Sequence, residues 1–174
     1  PYAIGHLKID FILDLLGYKL GDEERFKYYL TNTLEMEDLV QTEIPTVAPL
    51  SKESQLAGVV KRETPILVII GNPPYSVSSS NIIKEGSEFY RFYESYKENV
   101  RKEERNIQPL SDDYIKFIAF AHWKIKKTKQ GIIGMITNSS YLDGLIHRDI
   151  RRKLMEDFDE IYILNLHGNL KRQE

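Results

Sequence analysis

The sequence predicts an α/β fold with a mostly parallel sheet flanked by helices, and three observations carry this prediction. Residues 66–70 are five apolar residues without alternation, which is typical of a strand buried on both faces. An amphipathic helix pattern then runs from an N-cap at Ser111 to a stop at Gly131. A second apolar run follows at 132–137. Strand, helix and strand in this order favour parallel pairing through a right-handed crossover.

Weaker signals complete the predicted order of elements. Helical spacing of apolar residues predicts four further helices, at 2–16, 51–62, 88–105 and 145–158. Short apolar runs predict two further strands, at 26–30 and 161–164. The four serines within 76–81 predict a flexible loop.

Composition bounds the kind of protein. The chain has 174 residues, enough for one domain, and a formal net charge of −2, which excludes a general coat of positive charge for nucleic acid. It has no cysteine, hence no thiolate zinc site, and the four histidines show no metal-ligand spacing, so we expect no metal. No apolar run is long enough to span a membrane, and we expect a cytoplasmic protein. Because Pro1 already leads into a helical pattern, we expect a piece of a longer polypeptide.

The motif Asn72-Pro73-Pro74-Tyr75 directly follows the first buried strand, where parallel sheets place their functional residues. Two prolines stiffen the turn, and each keeps a carbonyl acceptor. The Asn72 side-chain oxygen beside the Pro73 carbonyl suits a planar NH₂ group, and the Tyr75 ring offers a face for stacking. These residues predict a site for an exocyclic amine on a heteroaromatic ring, for which adenine N6 is the obvious case.

The motif resembles the catalytic motif of S-adenosylmethionine-dependent amino-methyltransferases, above all the DNA adenine-N6 methyltransferases. Five stretches are similar to the methyltransferase region of type ISP-like restriction-modification enzymes: 1–8, 29–35, 71–77, 112–123 and 166–169. In that family the region lies between a helicase-like ATPase part and a target-recognition part. The resemblance therefore implies DNA as a partner, and both of those parts in the same polypeptide.

The resemblance also implies site residues. Asn72, Pro73, Pro74 and Tyr75 match the catalytic positions; Phe117 matches an aromatic residue against the cofactor adenine, although its helix face suits a core equally well. Asn32 and Thr33 fall where the family has a third cofactor motif. The Gly-rich cofactor loop and the ribose-binding acidic residue are absent from the sequence. The resemblance thus implies a partial Rossmann-like methyltransferase domain over 1–174, with its first strands missing and inactive alone.

Two alternatives stay open at this point. The same motif occurs in methyltransferases that act on a protein glutamine amide or on guanine N2 of ribosomal RNA. A non-catalytic interaction fragment is the other alternative, and it predicts a buried Tyr75. The basic cluster within 148–153 fits phosphate binding, but a solvated helix face is the more frequent meaning of such a cluster.

Overall fold

The computed structural model describes residues 2–21, 24–36, 48–76, 79 and 81–166. The chain divides into two compact units, Pro1–Thr64 and Pro65–Glu174. None of the described helices combines the length and apolarity that crossing a bilayer requires. The α/β fold class is confirmed, because helices accompany an open parallel sheet.

The described residues of the first unit include the helices α1 (Tyr2–Leu15) and α2 (Ala48–Arg62). Both were expected, although α2 begins three residues before the predicted start at Ser51. The strand predicted at 26–30 is wrong, since these residues take no strand conformation. The Tyr28 carbonyl instead accepts from His6 Nε2 at 3.1 Å, and the Tyr28 ring stacks on Tyr2. Side-chain contacts with α1 thus replace strand pairing.

The sheet of the second unit has two strands, β1 (Val68–Gly71) and β2 (Ile132–Met135). They pair in parallel with Val68 opposite Ile132, which confirms the predicted pairing. Backbone bonds extend the ladder at both ends, including Ile136 N to Gly71 O at 3.0 Å. The expectation that residues 66–70 form a strand buried on both faces is wrong, because a sheet of two strands among the described residues leaves both faces open and Ile70 is 83% exposed.

The long helix α5 (Asp113–Thr128) forms the centre of the second unit. Between β1 and α5 lie α3 (Glu88–Glu94), α4 (Val100–Glu103) and a 3₁₀ turn at Gln108–Ser111. Phe89 of α3 contacts Phe120 and Trp123 of α5 at centroid distances of 5.7 and 5.6 Å. Aromatic packing between these two helices therefore makes up much of the core.

The single helix predicted over 88–105 is wrong, because α3 and α4 are separated by a turn at 95–99. The buried Asp149 carboxylate accepts from the backbone N–H of Asn99 at 3.1 Å and of Val100 at 3.4 Å. These bonds satisfy N–H groups at the start of α4, so a second helix begins there. The predicted burial of the aromatic stripe is nevertheless confirmed at Phe89 and Tyr93.

The two ends of α5 differ from the prediction by one or two residues. Asp112, and not Ser111, is the N-cap, since its side chain accepts from Tyr114 N. The helix ends at Lys129, which adopts the left-handed conformation (φ 59°), and not at Gly131. Gly131 instead permits a close approach: a Cβ there would lie 2.6 Å from the Leu67 carbonyl oxygen.

In the described chain up to residue 166, β2 is followed by α6 (Ser140–Asp143), a 3₁₀ turn at Leu145–His147 and α7 (Arg148–Asp157). The helix predicted over 145–158 is confirmed over Arg148–Asp157, and its first three residues form the 3₁₀ turn. The strand predicted at 161–164 is wrong, since these residues are exposed and pair with no strand among the described residues. A strand needs a neighbour to bond with, which apolar residues alone do not supply.

Buried histidines make the second unit sensitive to acid. Burial and then the positive charge of Arg151 lower the pKa of His147 from 6.5 to about 4, while Asp112 and Asp143 act in the opposite direction. Burial also lowers the pKa of His122, which bonds Tyr96 Oη and Asp157. In both histidines the fold therefore favours the neutral imidazole.

We expect the free energy of unfolding to be highest above pH 6.5 and to fall progressively toward pH 4. The sign follows because the unfolded chain takes up a proton at His147 near 6.5, whereas the folded chain resists it. Urea unfolding at pH 7 and pH 5 measures the difference. This difference in the free energy of unfolding should be smaller in His147→Gln. The same difference in that variant and in the wild type would contradict the assignment to His147.

Gly131 lies in the connection between α5 and β2, and its substitution tests the close approach of this connection to Leu67. Gly131→Ala should lower the free energy of unfolding by about 2–4 kcal/mol, because the new Cβ meets Leu67 O and Ile125 in a strained conformation. Gly86→Ala is the control: its φ is also positive, but nothing lies within 4 Å of the added Cβ. There the loss should be about 1 kcal/mol. Equal losses in urea unfolding would refute the close approach.

Candidate functional site

The Asn-Pro-Pro-Tyr turn leaves the carboxyl end of β1. Its first residue is exposed, and the Asn72 side chain makes no hydrogen bond within the described part of the chain. Pro73 is buried and Pro74 is exposed, so the first proline ring anchors the turn in the protein. An amide that is exposed and not engaged elsewhere is available to a ligand.

Tyr75 is fixed at two points while half of it remains accessible. Its hydroxyl donates to the carbonyl of Ile136, just beyond β2, at 3.3 Å. Its ring meets the Tyr114 ring edge to face, with centroids 6.0 Å apart and an interplanar angle of 69°. The residue is 51% exposed, which opposes the buried Tyr75 that a non-catalytic fragment predicts.

The residue after the turn is bonded to the start of α5. Ser76 N donates to Asp112 Oδ1 at 2.9 Å, and the same oxygen accepts from Tyr114 N at 3.4 Å. Asp113 N returns a bond to Ser76 O at 3.3 Å. The turn is thus held by β1 at one end and by α5 at the other.

A second cluster bonds α5 to the serine-rich segment. The buried Asp113 carboxylate accepts from Ser79 Oγ and, at 3.0 Å, from Asn81 Nδ2. Lys116 Nζ donates to Ser79 Oγ at 2.7 Å and to Asn81 O at 2.5 Å. Burial lowers the pKa of Lys116, and the Asp113 carboxylate opposes this. The bonds fix Ser79 and Asn81, within a segment for which the sequence predicted a flexible loop.

Sequence reasoning missed Tyr114 and Asp112 as neighbours of the turn. Phe117, the predicted cofactor residue, lies on α5 three residues beyond Tyr114 and is half-buried. Tyr114 is buried, burial raises its pKa, and its ring contacts Tyr75 directly. The acidic pair Asp112-Asp113 directly before Tyr114 is the sequence signal for contact with the turn.

The predicted cofactor residues Asn32 and Thr33 lie in the first unit. Asn32 Oδ1 accepts from Leu34 N at 3.1 Å, which closes a local turn, and Lys61 Nζ donates to Asn32 O at 3.1 Å. Lys61 is buried, so this turn is fixed to α2. The Asn32 side-chain oxygen is thus engaged in a local turn, and the cofactor role of Asn32 and Thr33 stays a prediction.

An apolar cavity of about 660 Å³ lies beside β2, with residues 158–163 on another of its sides. Ile118, Thr137 and Tyr141 are among the residues that line it. The four motif residues and Phe117 do not line it. The cavity is therefore separate from the Asn-Pro-Pro-Tyr turn.

Two arginines of α7 bond within the protein. Arg148 bonds Glu103 and Glu104, and Arg151 donates to the carbonyls of Tyr141 and Gly144. These bonds favour a structural and solvated helix face over a phosphate site. Among the residues that the structure describes, no group of three acidic or histidine side chains is placed to hold a metal ion.

An open parallel sheet with this turn at a strand end is compatible with a partial α/β methyltransferase fold. The sequence model of the Eco57I restriction-modification methylase family matches residues 15–171. The chain belongs to this family. No curated protein matches it.

Solved structures of similar fold include two Type ISP restriction-modification enzymes. One is a nuclease-deletion mutant of LlaGI in complex with a DNA substrate mimic (26% identity, TM-score 0.67, covering 91% of this chain and 13% of that chain). Another is the ATP-dependent enzyme LlaBIII bound to DNA (29%, 0.64, 89% and 10%). A DrdV–DNA complex is also similar (25%, 0.64, 91% and 15%). The chain thus spans 10–15% of the length of these relatives.

Proposed function

We propose that this chain carries the catalytic turn of a site-specific DNA adenine-N6 methyltransferase that uses S-adenosylmethionine and forms part of a cytoplasmic restriction-modification enzyme. The observation that carries the proposal is the turn itself. An Asn72 amide free of hydrogen bonds within the described residues and a half-exposed Tyr75 ring stand together at the carboxyl end of β1.

The turn offers what an adenine amine needs. The Asn72 side-chain oxygen and the Pro73 carbonyl are acceptors for the two N–H bonds of an exocyclic NH₂ group. The Tyr75 ring supplies a face on which a base can stack, and its hydroxyl bond to Ile136 O restrains the ring. A base within a duplex cannot reach this ring, so the target adenine would be flipped out of the helix.

The same acceptors stabilise the charge that develops during the reaction. Hydrogen bonds to Asn72 and Pro73 favour a pyramidal nitrogen whose lone pair is no longer delocalised into the ring. As that nitrogen becomes positively charged, the two fixed acceptor dipoles stabilise it without reorganising. The prolines limit motion of the turn, so little freedom remains to be lost when the base binds.

S-adenosylmethionine supplies the methyl group when it is bound, and the Gly-rich loop expected to hold it is absent from the sequence. We propose that residues 1–174 are a partial methyltransferase domain and that other parts of a longer polypeptide complete the cofactor pocket. The relatives LlaGI and LlaBIII are much longer chains and were solved with DNA. We therefore propose DNA as the partner, with helicase-like and target-recognition parts in the same polypeptide.

A methyltransferase acting on a protein glutamine or on ribosomal RNA is the second candidate, because it would use the same turn. The similarity to the DNA-bound restriction-modification enzymes favours DNA over these substrates. Offering DNA, ribosomal RNA and a release factor in parallel to the full polypeptide separates the candidates. Labelled methyl transfer to either of the latter two, and none to DNA, would overturn the choice of substrate.

Asn72→Ala in the full polypeptide should reduce methyl transfer to DNA by at least about 100-fold, because an acceptor is lost where positive charge develops. The loss should fall on kcat more than on KM. Asn106→Ala is the control, since Asn106 is also exposed but lies outside the turn, where it bonds Gln108 N. Unchanged incorporation of labelled methyl groups in Asn72→Ala would remove Asn72 from the mechanism.

The isolated 174-residue chain should bind S-adenosylmethionine weakly or not at all. Asn32 uses its side-chain oxygen within its own turn, and the sequence has no Gly-rich cofactor loop. Titration calorimetry measures this directly, with the full polypeptide as the positive control. Micromolar binding by the isolated chain would show that these residues do complete a cofactor site.

A further inference from the structure

We infer that Asp112 is a positioning residue for the reaction, because its carboxylate holds the Asn-Pro-Pro-Tyr turn in register with α5. The inference rests on the proposed function. Asp112 is 6% exposed, and its side chain forms no hydrogen bond with any of the four motif residues. Its effect on the turn passes through Ser76, the next residue along the chain.

The bonds at this point form a reciprocal clamp, defined here as the three bonds that link Ser76, Asp112 and the first turn of α5 to one another. Asp112 Oδ1 accepts from Ser76 N at 2.9 Å and from Tyr114 N at 3.4 Å, while Ser76 O accepts from Asp113 N at 3.3 Å. Hydrogen bonds to a carboxylate are stronger than neutral ones, and burial keeps water from competing for them. The clamp therefore fixes both polar backbone atoms of Ser76.

The clamp acts on Tyr75 from two directions. It fixes the backbone immediately after Tyr75, and by capping α5 at Tyr114 N it also sets the helix turn whose ring meets the Tyr75 ring. Together with the Tyr75 hydroxyl bond to Ile136 O, these contacts restrain the ring. Displacement of a reacting arrangement by about 1 Å can cost about 100-fold in rate, so the clamp should matter for kcat.

An ordinary N-cap is the competing explanation, and side-chain length distinguishes the two. Serine caps helices about as well as aspartate. Its shorter side chain keeps the bond to its own helix but does not reach Ser76 N. Asp112→Ser thus removes the bond to Ser76 N and retains the cap, whereas Asp112→Asn retains an oxygen in the same place and removes only the charge.

Asp149 provides a matched control. It is another buried carboxylate that accepts from two backbone N–H groups, those of Asn99 and Val100, at the start of a helix. These contacts lie outside the catalytic turn. Asp149→Asn should therefore lower the melting temperature while kcat stays unchanged.

The experiment measures methyl transfer to DNA by the full polypeptide and its variants, together with their melting temperatures. Asp112→Ser should lose about 30- to 100-fold in kcat, with KM for DNA within about threefold, whereas Asp112→Asn stays within about fivefold. Wild-type turnover in Asp112→Ser would overturn the inference. So would a loss of kcat in Asp149→Asn that matches the loss in Asp112→Ser at the same melting temperature.

A second readout separates this inference from the proposed function. Hydrogen–deuterium exchange at the Ser76 amide should accelerate in Asp112→Ser and not in Asp149→Asn, whether or not any substrate is methylated. Unchanged exchange at Ser76 would refute the clamp. A wild-type polypeptide that transfers no methyl group to DNA would instead refute the proposed function, and with it the catalytic consequence of the clamp.

Discussion

Parallel pairing of β1 with β2 is the constraint on which the candidate site depends. The bond from Ile136 N to Gly71 O places the ends of both strands side by side, immediately before the Asn-Pro-Pro-Tyr turn. The next bond along, from the Tyr75 hydroxyl to Ile136 O, exists because that register brings Ile136 within reach. A shift of one residue in the pairing would remove both bonds, so the position of the tyrosine ring follows from the register of two four-residue strands.

The start of α5 supplies the second support. Asp112 holds the residue after the turn, and Asp113 with Lys116 holds Ser79 and Asn81. This end of the helix is buried and polar, an arrangement that is stable when its charges are bonded. Two consecutive acidic residues thus have different bonding partners. Asp112 bonds the residue directly after the turn, and Asp113 bonds residues further along the segment that follows.

The sequence predicted the parts of the fold that local pattern determines. The apolar runs at 66–70 and 132–137 and the helix between them are long or distinctive signals, and the motif is recognisable because its residues are consecutive. The predictions of strands at 26–30 and 161–164 are wrong because strand pairing depends on neighbours distant in sequence. In one case the Tyr28 carbonyl bonds a histidine on α1, and in the other the described residues offer no adjacent strand.

The neighbours of the turn were harder to predict than the turn. Ser111 and Asp112 are both good N-caps by residue type, and the choice of Asp112 goes with its bond to Ser76, a tertiary contact. Phe117 and Tyr114 share a helix face, so spacing alone does not distinguish them, and geometry brings Tyr114 to the Tyr75 ring. Residue type and periodicity predict the helix, but the tertiary fold decides which residue a side chain contacts.

We propose above all that the turn presents two acceptors and a ring face to an adenine amine. Mass spectrometry of nucleosides from DNA treated with the full polypeptide and S-adenosylmethionine tests it most directly, with Tyr75→Ala beside the wild type. The account predicts N6-methyladenine from the wild type and at least about tenfold less from the variant, because stacking is lost. Methylation at a cytosine ring carbon, or undiminished N6-methyladenine from Tyr75→Ala, would contradict it.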